Sequence, residues 1–228
     1  MSSQDYIVGT FVREEKNRFL CTVNVDGIDE ECYIPSSCRL ENFLELAGKE
    51  VVLRENQNKS ARTRLSVYAI KFKRNYILLK TAEANEIVHK SILGRRFSFL
   101  GKRKSVEKEC CIEGYKTDLY LPDSKTIIEI KSIISTSSRA VFPTVYSERA
   151  IEQLKKLKVL MTQGYSVAYF YISLNPYVKQ VGISNDVKVK EYSNLMNECK
   201  KMGMIIKAFS IEVKNGDAVI KKEIELVE

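Results

Sequence analysis

Hydrophobic and polar residues alternate in short runs over the first third of the chain, which is the pattern of half-buried β-strands. Turn-forming residues separate the runs, and Asp26-Gly27 is the strongest two-residue hairpin signal among them. The predicted strands are Tyr6–Val12, Arg18–Val25, Glu31–Ile34, Glu50–Arg54 and Leu65–Phe72. Five short strands in about 75 residues predict a small Greek-key barrel of the oligonucleotide/oligosaccharide-binding (OB) type.

The periodicity changes to that of a helix after residue 80. Apolar and small residues then recur at helical spacing from Ala84 to Ile92, with Thr81 as the predicted N-cap and Gly94 at the end. This change predicts a domain boundary near residue 80, with a barrel over 1–80 and a second domain over 81–228.

Longer segments of mixed type fill the second domain. Its predicted strands are Ser105–Ile112, Ser166–Ser173, Met204–Val213 and Ala218–Leu226, and its predicted later helices are Ser147–Met161, with Ser147 as N-cap, and Val189–Met202. The segment Ser135–Thr144 is predicted to be a loop. This order of elements predicts an α/β (α+β) domain, in which helices pack on a mixed sheet.

Between these elements lies a predicted β-hairpin that carries acidic and basic side chains. Its strands are Lys116–Leu121 and Thr126–Ile130, joined by the turn-forming residues Pro122 to Lys125. If Leu121 pairs with Thr126, Asp118 lies opposite Glu129 and Lys116 lies opposite Lys131, and directly opposed residues share a face.

Glu129 and Lys131 are two residues apart, so the strand period places them on one face together with Asp118. Two carboxylates beside an ammonium group are the ingredients of a divalent-metal phosphodiesterase site. The alternative at this point is a solvated hairpin face with salt-bridged charges.

Composition restricts the chemistry further. The 228 residues carry a net charge of +8, which favours anionic partners, of which nucleic acid is the commonest. His89 is the only histidine and the six cysteines form no Cys-x-x-Cys pair, which argues against a zinc site and against most Ser-His and Cys-His nucleophiles.

No apolar run is long enough for a membrane span and the N-terminus lacks a signal peptide, so a cytoplasmic location is expected. The oligomeric state stays open, with a homodimer among the options.

Cationic residues cluster in three places. The segment from Gly94 to Ser105 contains no acid, and we expect its cations to position a phosphate backbone beside the metal site, the alternative being a solvated loop. They are Arg95, Arg96, Lys102, Arg103 and Lys104. Arg149 and Gln153 lie with Lys156 on one face of the predicted helix Ser147–Met161.

The third cluster lies on the barrel, where Arg18 and Arg39 are the cations expected to contact nucleic acid. Arg13, Lys16, Arg62 and Arg64 also lie along the barrel edges, and the aromatic residues Phe11, Phe19 and Tyr33 are interleaved with them. Together they could hold a single strand by backbone attraction and base stacking. The alternative is that the aromatic residues are core and the cations only solubilise the barrel.

Short motifs along the chain resemble the sugar fermentation stimulation protein family. They are NRF at Asn17–Phe19, PSSCRL at Pro35–Leu40, Asn85, EGYKTDLYL at Glu113–Leu121, EIKS at Glu129–Ser132, Phe142-Pro143 and SERAIEQLKKL at Ser147–Leu157. The resemblance implies an OB-type barrel followed by a restriction-endonuclease-like PD-(D/E)xK nuclease domain that uses Mg²⁺ or Mn²⁺ to hydrolyse DNA or RNA.

The resemblance also assigns roles to single residues. Asp118, Glu129 and Lys131 occupy the catalytic positions, and the two carboxylates hold the metal. Glu113 occupies a further acidic position, although strand alternation places it on the opposite face unless the chain bulges at Gly114. Gln153 stands where the family often has His, and would offer its amide to the site. The sequence departs from the family pattern at Ser36, Ser37 and Cys38 in the barrel motif and at Ser132. The altered barrel motif, and the family's name, which comes from a regulatory phenotype, leave room for a second hypothesis, a non-catalytic DNA-binding regulator with a nuclease-like fold.

Overall fold

The first six strands of the computed structural model, which describes residues 6–35, 44–56, 58, 60–184 and 186–227, form one sheet. They are β1 (Ile7–Glu14), β2 (Leu20–Val25), β3 (Ile28–Tyr33), β4 (Glu50–Glu55), β5 (Leu65–Phe72) and β6 (Asn75–Leu78). The strand order is β3-β2-β1-β4-β5-β6, and a parallel pairing of β3 with β5 closes β1 to β5 into a barrel. The OB-type barrel predicted from the alternation is confirmed, and β6 is an addition to it.

The tight turn between β2 and β3 is the one predicted. Asp26 and Gly27 have φ angles of 51° and 87°, as a two-residue hairpin turn with the twist of its strands requires. Phe11 is fully buried in the barrel core with residues such as Val23, Leu53 and Val67. Phe11 is therefore a core residue and not part of a binding surface.

The rest of the chain folds around a second, larger sheet. Its elements are α1 (Glu83–Ser91), β7 (Glu107–Lys108), β8 (Cys111–Ile112), β9 (Tyr115–Lys116), β10 (Leu119–Leu121), β11 (Thr126–Ile133), β12 (Arg139–Phe142), α2 (Glu148–Thr162), β13 (Ser166–Ser173), β14 (Gln180–Ile183), α3 (Lys190–Lys201), β15 (Ile205–Lys214) and β16 (Asp217–Val227). The strand order is β12-β14-β16-β15-β13-β11-β10-β7, while β8 and β9 form a separate hairpin. Parallel pairs β11–β13 and β13–β15 lie at its centre. The predicted mixed sheet with helices packed on it is confirmed.

Three local predictions are corrected. The segment Ser135–Thr144 is not only a loop, because it contains β12, which pairs with β14. The predicted strand Ser105–Ile112 is broken into β7 and β8, which pair with different partners. The first helix begins after Ala82 without a side-chain cap, so Thr81 is not its N-cap, whereas Ser147 does cap α2 by accepting a hydrogen bond from Ala150 N.

Alternation along the central strands places helices on both faces of the sheet. Ile128 and Ile130 of β11 pack in one cluster with α1 and with barrel residues such as Tyr68. Ile127 and Ile133, on the opposite face, pack with apolar residues of α2 and α3. The carboxylate-bearing face of β11 is therefore the one that α2 covers.

The barrel and the second sheet share their first cluster. Val52, Tyr68 and Leu78 of the barrel sheet are buried together with residues of β13 and β15, and Leu78 N donates to Leu174 O at 3.0 Å. This shared apolar cluster therefore joins the two parts. None of the helices in the described ranges is long and apolar enough to cross a membrane.

Candidate active site

The hairpin β10–β11 has the predicted register. Leu121 pairs with Thr126 and Leu119 with Ile128, and the chain turns through a short 3-10 segment to Lys125, whose φ is 47°. Asp118 lies one residue before β10, where continuation of this register sets it opposite Glu129. The backbone N–H of Ile130 donates to Asp118 Oδ2 at 2.7 Å, which fixes the carboxylate against β11.

The predicted strand Lys116–Leu121 is interrupted in front of Asp118. Thr117 Oγ1 donates to Leu119 O at 2.6 Å, and Thr117 N donates to Cys110 O at 3.0 Å. Lys116 therefore pairs with Cys111 in the β8–β9 hairpin, and the prediction that it lies opposite Lys131 is wrong. Its ammonium group contacts Glu109 instead, at 2.5 Å.

Glu129 is the buried centre of the site, with 2% of its surface exposed. Its Oε1 accepts from Lys131 Nζ at 2.7 Å, and its Oε2 accepts from the hydroxyl of Tyr115 at 2.5 Å. Lys131 Nζ also donates to Gln153 Oε1 of α2 at 2.7 Å. Both oxygens of a buried carboxylate are thus satisfied, as burial of a charge requires.

The electrostatics of the pair favour an added cation. Burial, followed by the nearby charge of Glu129, raises the pKa of Asp118 to about 6, although the hydrogen bond from Ile130 and the charge of Lys131 partly offset the shift. Burial and Glu129 also raise the pKa of Tyr115 well above its ordinary value, so its hydroxyl stays a donor.

Asn85 and Tyr115 also contact the site, although the sequence predicted no role for either residue. Asn85 of α1 donates through Nδ2 to Asp118 Oδ1 at 2.9 Å, and Tyr115 donates to Glu129. Asn85 belongs to the motifs that carry the family resemblance, and its place on the first helix could have indicated it. Tyr115 is an odd number of residues from Asp118, so unbroken strand alternation would place it on the wrong face; only the interruption at Thr117 brings it round.

Two clefts open beside these residues. One, of about 320 Å³, is lined by Gly114, Tyr115, Lys116, Arg149, Glu152, Gln153 and Lys156. The other, of about 310 Å³, is lined by Asn85, Glu86, Lys108, Glu109, Asp118 and Leu119. We call them the α2 cleft and the α1 cleft. The α2 cleft has three cations and one acid, whereas the α1 cleft has three acids and one cation.

The donor set fits a divalent metal ion that prefers oxygen. Asp118 and Glu129 supply two carboxylates whose mutual repulsion a cation would relieve, and Mg²⁺ is commonly held by one or two carboxylates with water and phosphate oxygens completing its shell. Within the described ranges, no three or more His, Cys, Asp and Glu side chains are grouped as metal ligands. The two carboxylates are therefore the protein ligands that the site offers.

Glu113 is not brought to this pair. It lies exposed at the tip of the β8–β9 hairpin, where Glu113 and Gly114 have φ angles of 47° and 75°. The two residues form a tight hairpin turn and not the bulge that would have turned Glu113 toward the pair. Glu113 instead lines a depression with Lys155 and Lys156 of α2 and with Gln163, which follows that helix.

Two arginines of the basic segment after α1 bind backbone carbonyls. Arg103 donates to the carbonyl oxygens of Ile92, Gly94 and Gly101, and Arg96 donates to those of Ile220 and Lys221. In the described part of the chain, neither these arginines nor Arg95, Lys102 and Lys104 make a hydrogen bond or ion pair with Asp118 or Glu129. Arg96 and Arg103 therefore stabilise the fold, and no residue of this segment lines the α1 or α2 cleft. Phosphate binding by the segment stays a prediction.

On the barrel, some of the predicted contact residues form an aromatic and cationic group. The rings of Phe19 and Tyr33 stack with centroids 6.3 Å apart, and the Arg18 guanidinium lies 4.7 Å from the Phe19 centroid. Arg62 and Arg64 are paired with Glu31 and Glu30, and Arg13 with Glu15. Arg39 lies outside the described residues.

Comparison with known proteins identifies relatives over both parts of the chain. A family model described as "Sugar fermentation stimulation protein RE domain" matches residues 82–217, and one described as "SfsA N-terminal OB domain" matches residues 14–79. A "Sugar fermentation stimulation protein homolog" of Methanobrevibacter smithii is 27% identical over 185 residues, covering 75% of this chain and 77% of the relative. One of Caldanaerobacter subterraneus subsp. tengcongensis is 26% identical over 225 residues, covering 97% and 96%.

A solved structure has the same fold. The structure of Pyrococcus furiosus SfsA in complex with Ca²⁺ is similar with a TM-score of 0.81 at 18% sequence identity, over 100% of this chain and 98% of that one. At this identity the likeness concerns the fold.

Proposed function

Since this chain belongs to the sugar fermentation stimulation protein family, we propose that it is a nuclease that hydrolyses phosphodiester bonds of DNA or RNA with Mg²⁺ or Mn²⁺. The observation that carries the proposal is the pair of the half-buried Asp118 and the buried Glu129, with the Lys131 ammonium held beside it. The two domains divide the work, with residues 1–80 binding the nucleic acid and residues 81–228 performing the chemistry.

Asp118 and Glu129 would hold the metal ion. When bound, such an ion polarises the phosphate and lowers the pKa of a coordinated water. Asn85 and the Ile130 N–H orient Asp118, and Tyr115 and Lys131 orient Glu129. The Ca²⁺ in the Pyrococcus furiosus relative supports this reading, because Ca²⁺ also prefers oxygen ligands.

Lys131 is placed to act on the phosphate or on the attacking water. An ammonium group has three N–H donors, and Glu129 Oε1 and Gln153 Oε1 accept from Nζ in the described part of the chain. A third donor remains to stabilise the charge that develops on the phosphate oxygens. Because Gln153 uses its oxygen for Lys131, its amide N–H₂ is left to donate to the substrate.

The barrel supports the choice of substrate class. OB-type barrels bind single strands through a cationic surface with aromatic rings on which bases stack, and Phe19, Tyr33 and Arg18 provide such a combination. The net charge of +8 favours a polyanion in the same way.

The test measures cleavage of DNA and of RNA by the purified protein, first with Mg²⁺ or Mn²⁺ and then after EDTA is added. We expect cleavage that EDTA stops and that Asp118→Asn or Glu129→Gln lowers by roughly 100-fold or more. The matched control is Glu198→Gln, which also removes a carboxylate paired with a lysine but lies on α3. Wild-type rates in both site variants would contradict the proposal.

One observation favours a second candidate, a DNA-binding regulator without catalysis. The Arg18, Phe19 and Tyr33 group on the barrel and the net charge of +8 would serve nucleic-acid binding whether or not the carboxylate pair is catalytic. Salt-dependent nucleic-acid binding without cleavage under any of these metal conditions would identify the protein as such a regulator.

A further inference from the structure

Three side chains of α2 form a stripe along the α2 cleft. Arg149, Gln153 and Lys156 are spaced i, i+4 and i+7, which places them on one helix face, and all three line that cleft. Gln153, the middle residue, contacts Lys131. The stripe therefore extends to both sides of the candidate catalytic lysine.

The two outer residues are cations that the described protein does not neutralise. Arg149 and Lys156 are exposed, and neither makes an ion pair or side-chain hydrogen bond with another described residue. By contrast, Lys155 pairs with Glu152 and Glu191. Two uncompensated cations on one face suit an anionic ligand that spans both.

Their spacing fits a polyanion. Seven residues of helix extend over roughly 10 Å at 1.5 Å per residue. That length covers about three stacked nucleotides at 3.4 Å each. In the α1 cleft, on the other side of the carboxylate pair, Glu86 pairs with Lys108 and Glu109 pairs with Lys116, so the one cation of that cleft is already neutralised and offers a phosphate less than the α2 cleft does.

We propose that Arg149 and Lys156 bind phosphates on opposite sides of the phosphodiester that faces Lys131, so that one nucleic-acid strand runs along α2 through the α2 cleft. This inference rests on the proposed nuclease function and deepens it. A strand held on both sides of the reacting bond is cut internally, so the enzyme is an endonuclease. Lys156 becomes a substrate-positioning residue.

Binding without metal tests the placement of the strand independently of catalysis. The affinity of each variant for a short fluorescein-labelled single-stranded DNA, and for its RNA counterpart, is measured in EDTA at several salt concentrations. Arg149→Ala and Lys156→Ala should each weaken binding and lower the slope of log K against log salt by about 1, because each removes one phosphate contact. Lys158→Ala should leave the slope unchanged, since Lys158 lies on the same helix but pairs with Glu198. Slopes equal to that of the wild type in both cleft variants would overturn the inference.

Cleavage of a circular single strand tests the internal cut. We expect the wild type to open the circle with Mn²⁺, and Lys156→Glu to do so far more slowly than Lys158→Glu. If linear strands are shortened from their ends while the circle stays intact, the two-sided placement is wrong and the nuclease assignment survives. If neither substrate is cut with any metal, the nuclease assignment fails, and the slopes alone decide whether the strand lies along α2.

Discussion

Glu129 shows how single residues sustain a buried charge at this site. A carboxylate with 2% exposure is unfavourable unless its oxygens are paired, and Tyr115 and Lys131 each take one of them. Tyr115 therefore contributes to the stability of the fold as well as to the orientation of Glu129.

Tyr115→Phe removes this donor without changing the shape of the ring. We expect the free energy of unfolding to fall by about 1.5–3 kcal/mol, the range for hydrogen bonds to charged groups, when urea unfolding is measured without metal. Tyr120→Phe on the neighbouring strand is the control, because no hydrogen bond of its hydroxyl is seen in the described residues. A loss in Tyr115→Phe no larger than in the control would contradict the role of Tyr115.

The raised pKa of Asp118 predicts a pH-dependent stability. Its pKa is about 6 in the folded protein against an ordinary 3.8, so the folded state binds more protons between these values. Its stabilising contribution is complete below about pH 3.8 and is lost as the pH rises through about 6. Relative to Asp118→Asn, the wild type should lose up to about 3 kcal/mol between about pH 4 and pH 8 in EDTA. Urea unfolding at a series of pH values measures this difference, and a difference that is flat or opposite in sign would contradict the environment assigned to Asp118.

At the scale of residues, the sequence predicts those side-chain positions that follow from the alternation of residues along a strand. Leu121 pairing with Thr126 follows from the turn composition, and the shared face of Glu129 and Lys131 follows from the strand period. Tyr115 and Glu113 could not be placed in this way. Their positions depend on the hydrogen bonds of Thr117, which interrupt the strand, and on the positive φ angles at the hairpin tip.

At the scale of elements, the segment after α1 shows that arginines in a dense run of cations can donate hydrogen bonds to backbone carbonyl groups. Helix ends leave carbonyl groups without partners, and an arginine fork can satisfy several of them. Arg103 does so for Ile92, Gly94 and Gly101. Composition alone cannot distinguish this role from phosphate binding, because both use the same guanidinium donors.

Arg103→Ala should therefore destabilise the fold and leave nucleic-acid affinity nearly unchanged. We expect a loss of about 0.5–1.5 kcal/mol in the free energy of unfolding, because the bond to the part-buried Ile92 O is lost whereas water can replace the arginine at the two exposed carbonyls. Lys102→Ala, in the same segment, should change stability by less than about 0.5 kcal/mol. Weaker DNA binding at unchanged stability in Arg103→Ala would restore the original prediction of a phosphate-binding loop.

Elements of strong periodicity were predictable and short ones were not. The strand Ser166–Ser173 and the N-cap of α2 at Ser147 follow from a continuous apolar run and a capping residue. The strands β12 and β14 have four residues each, and their alternation is too short to distinguish from a loop. Their place in the sheet comes from tertiary pairing, because β14 pairs with β16 and β12 pairs with β14.

At the scale of the whole molecule, the barrel is joined rigidly to the domain that carries the carboxylates. Besides the shared apolar cluster, the Arg54 guanidinium of β4 donates to Gly216 O at 2.8 Å and to Asp217 Oδ1 at 2.7 Å, in the turn between β15 and β16. It also lies 3.6 Å from the centroid of the Tyr68 ring. A strand bound on the barrel would therefore keep a fixed direction relative to α2.

Arg54→Met should destabilise the whole chain in one cooperative transition. We expect about 2–3 kcal/mol, because charged hydrogen bonds at a largely buried position are lost. Arg13→Met, which removes an exposed pair with Glu15, should cost less than about 1 kcal/mol. Urea unfolding followed by circular dichroism and tyrosine fluorescence measures both variants, and separate transitions for the two probes would contradict a shared core.

Anomalous diffraction from crystals soaked in Mn²⁺ tests the central claim most directly, since it locates the ion without relying on turnover. We predict a peak within coordination distance of both Asp118 and Glu129, at roughly 2.0–2.2 Å from their oxygens, and its loss in Glu129→Gln. A Mn²⁺ site elsewhere, with none between these carboxylates under conditions that support cleavage, would contradict the assignment.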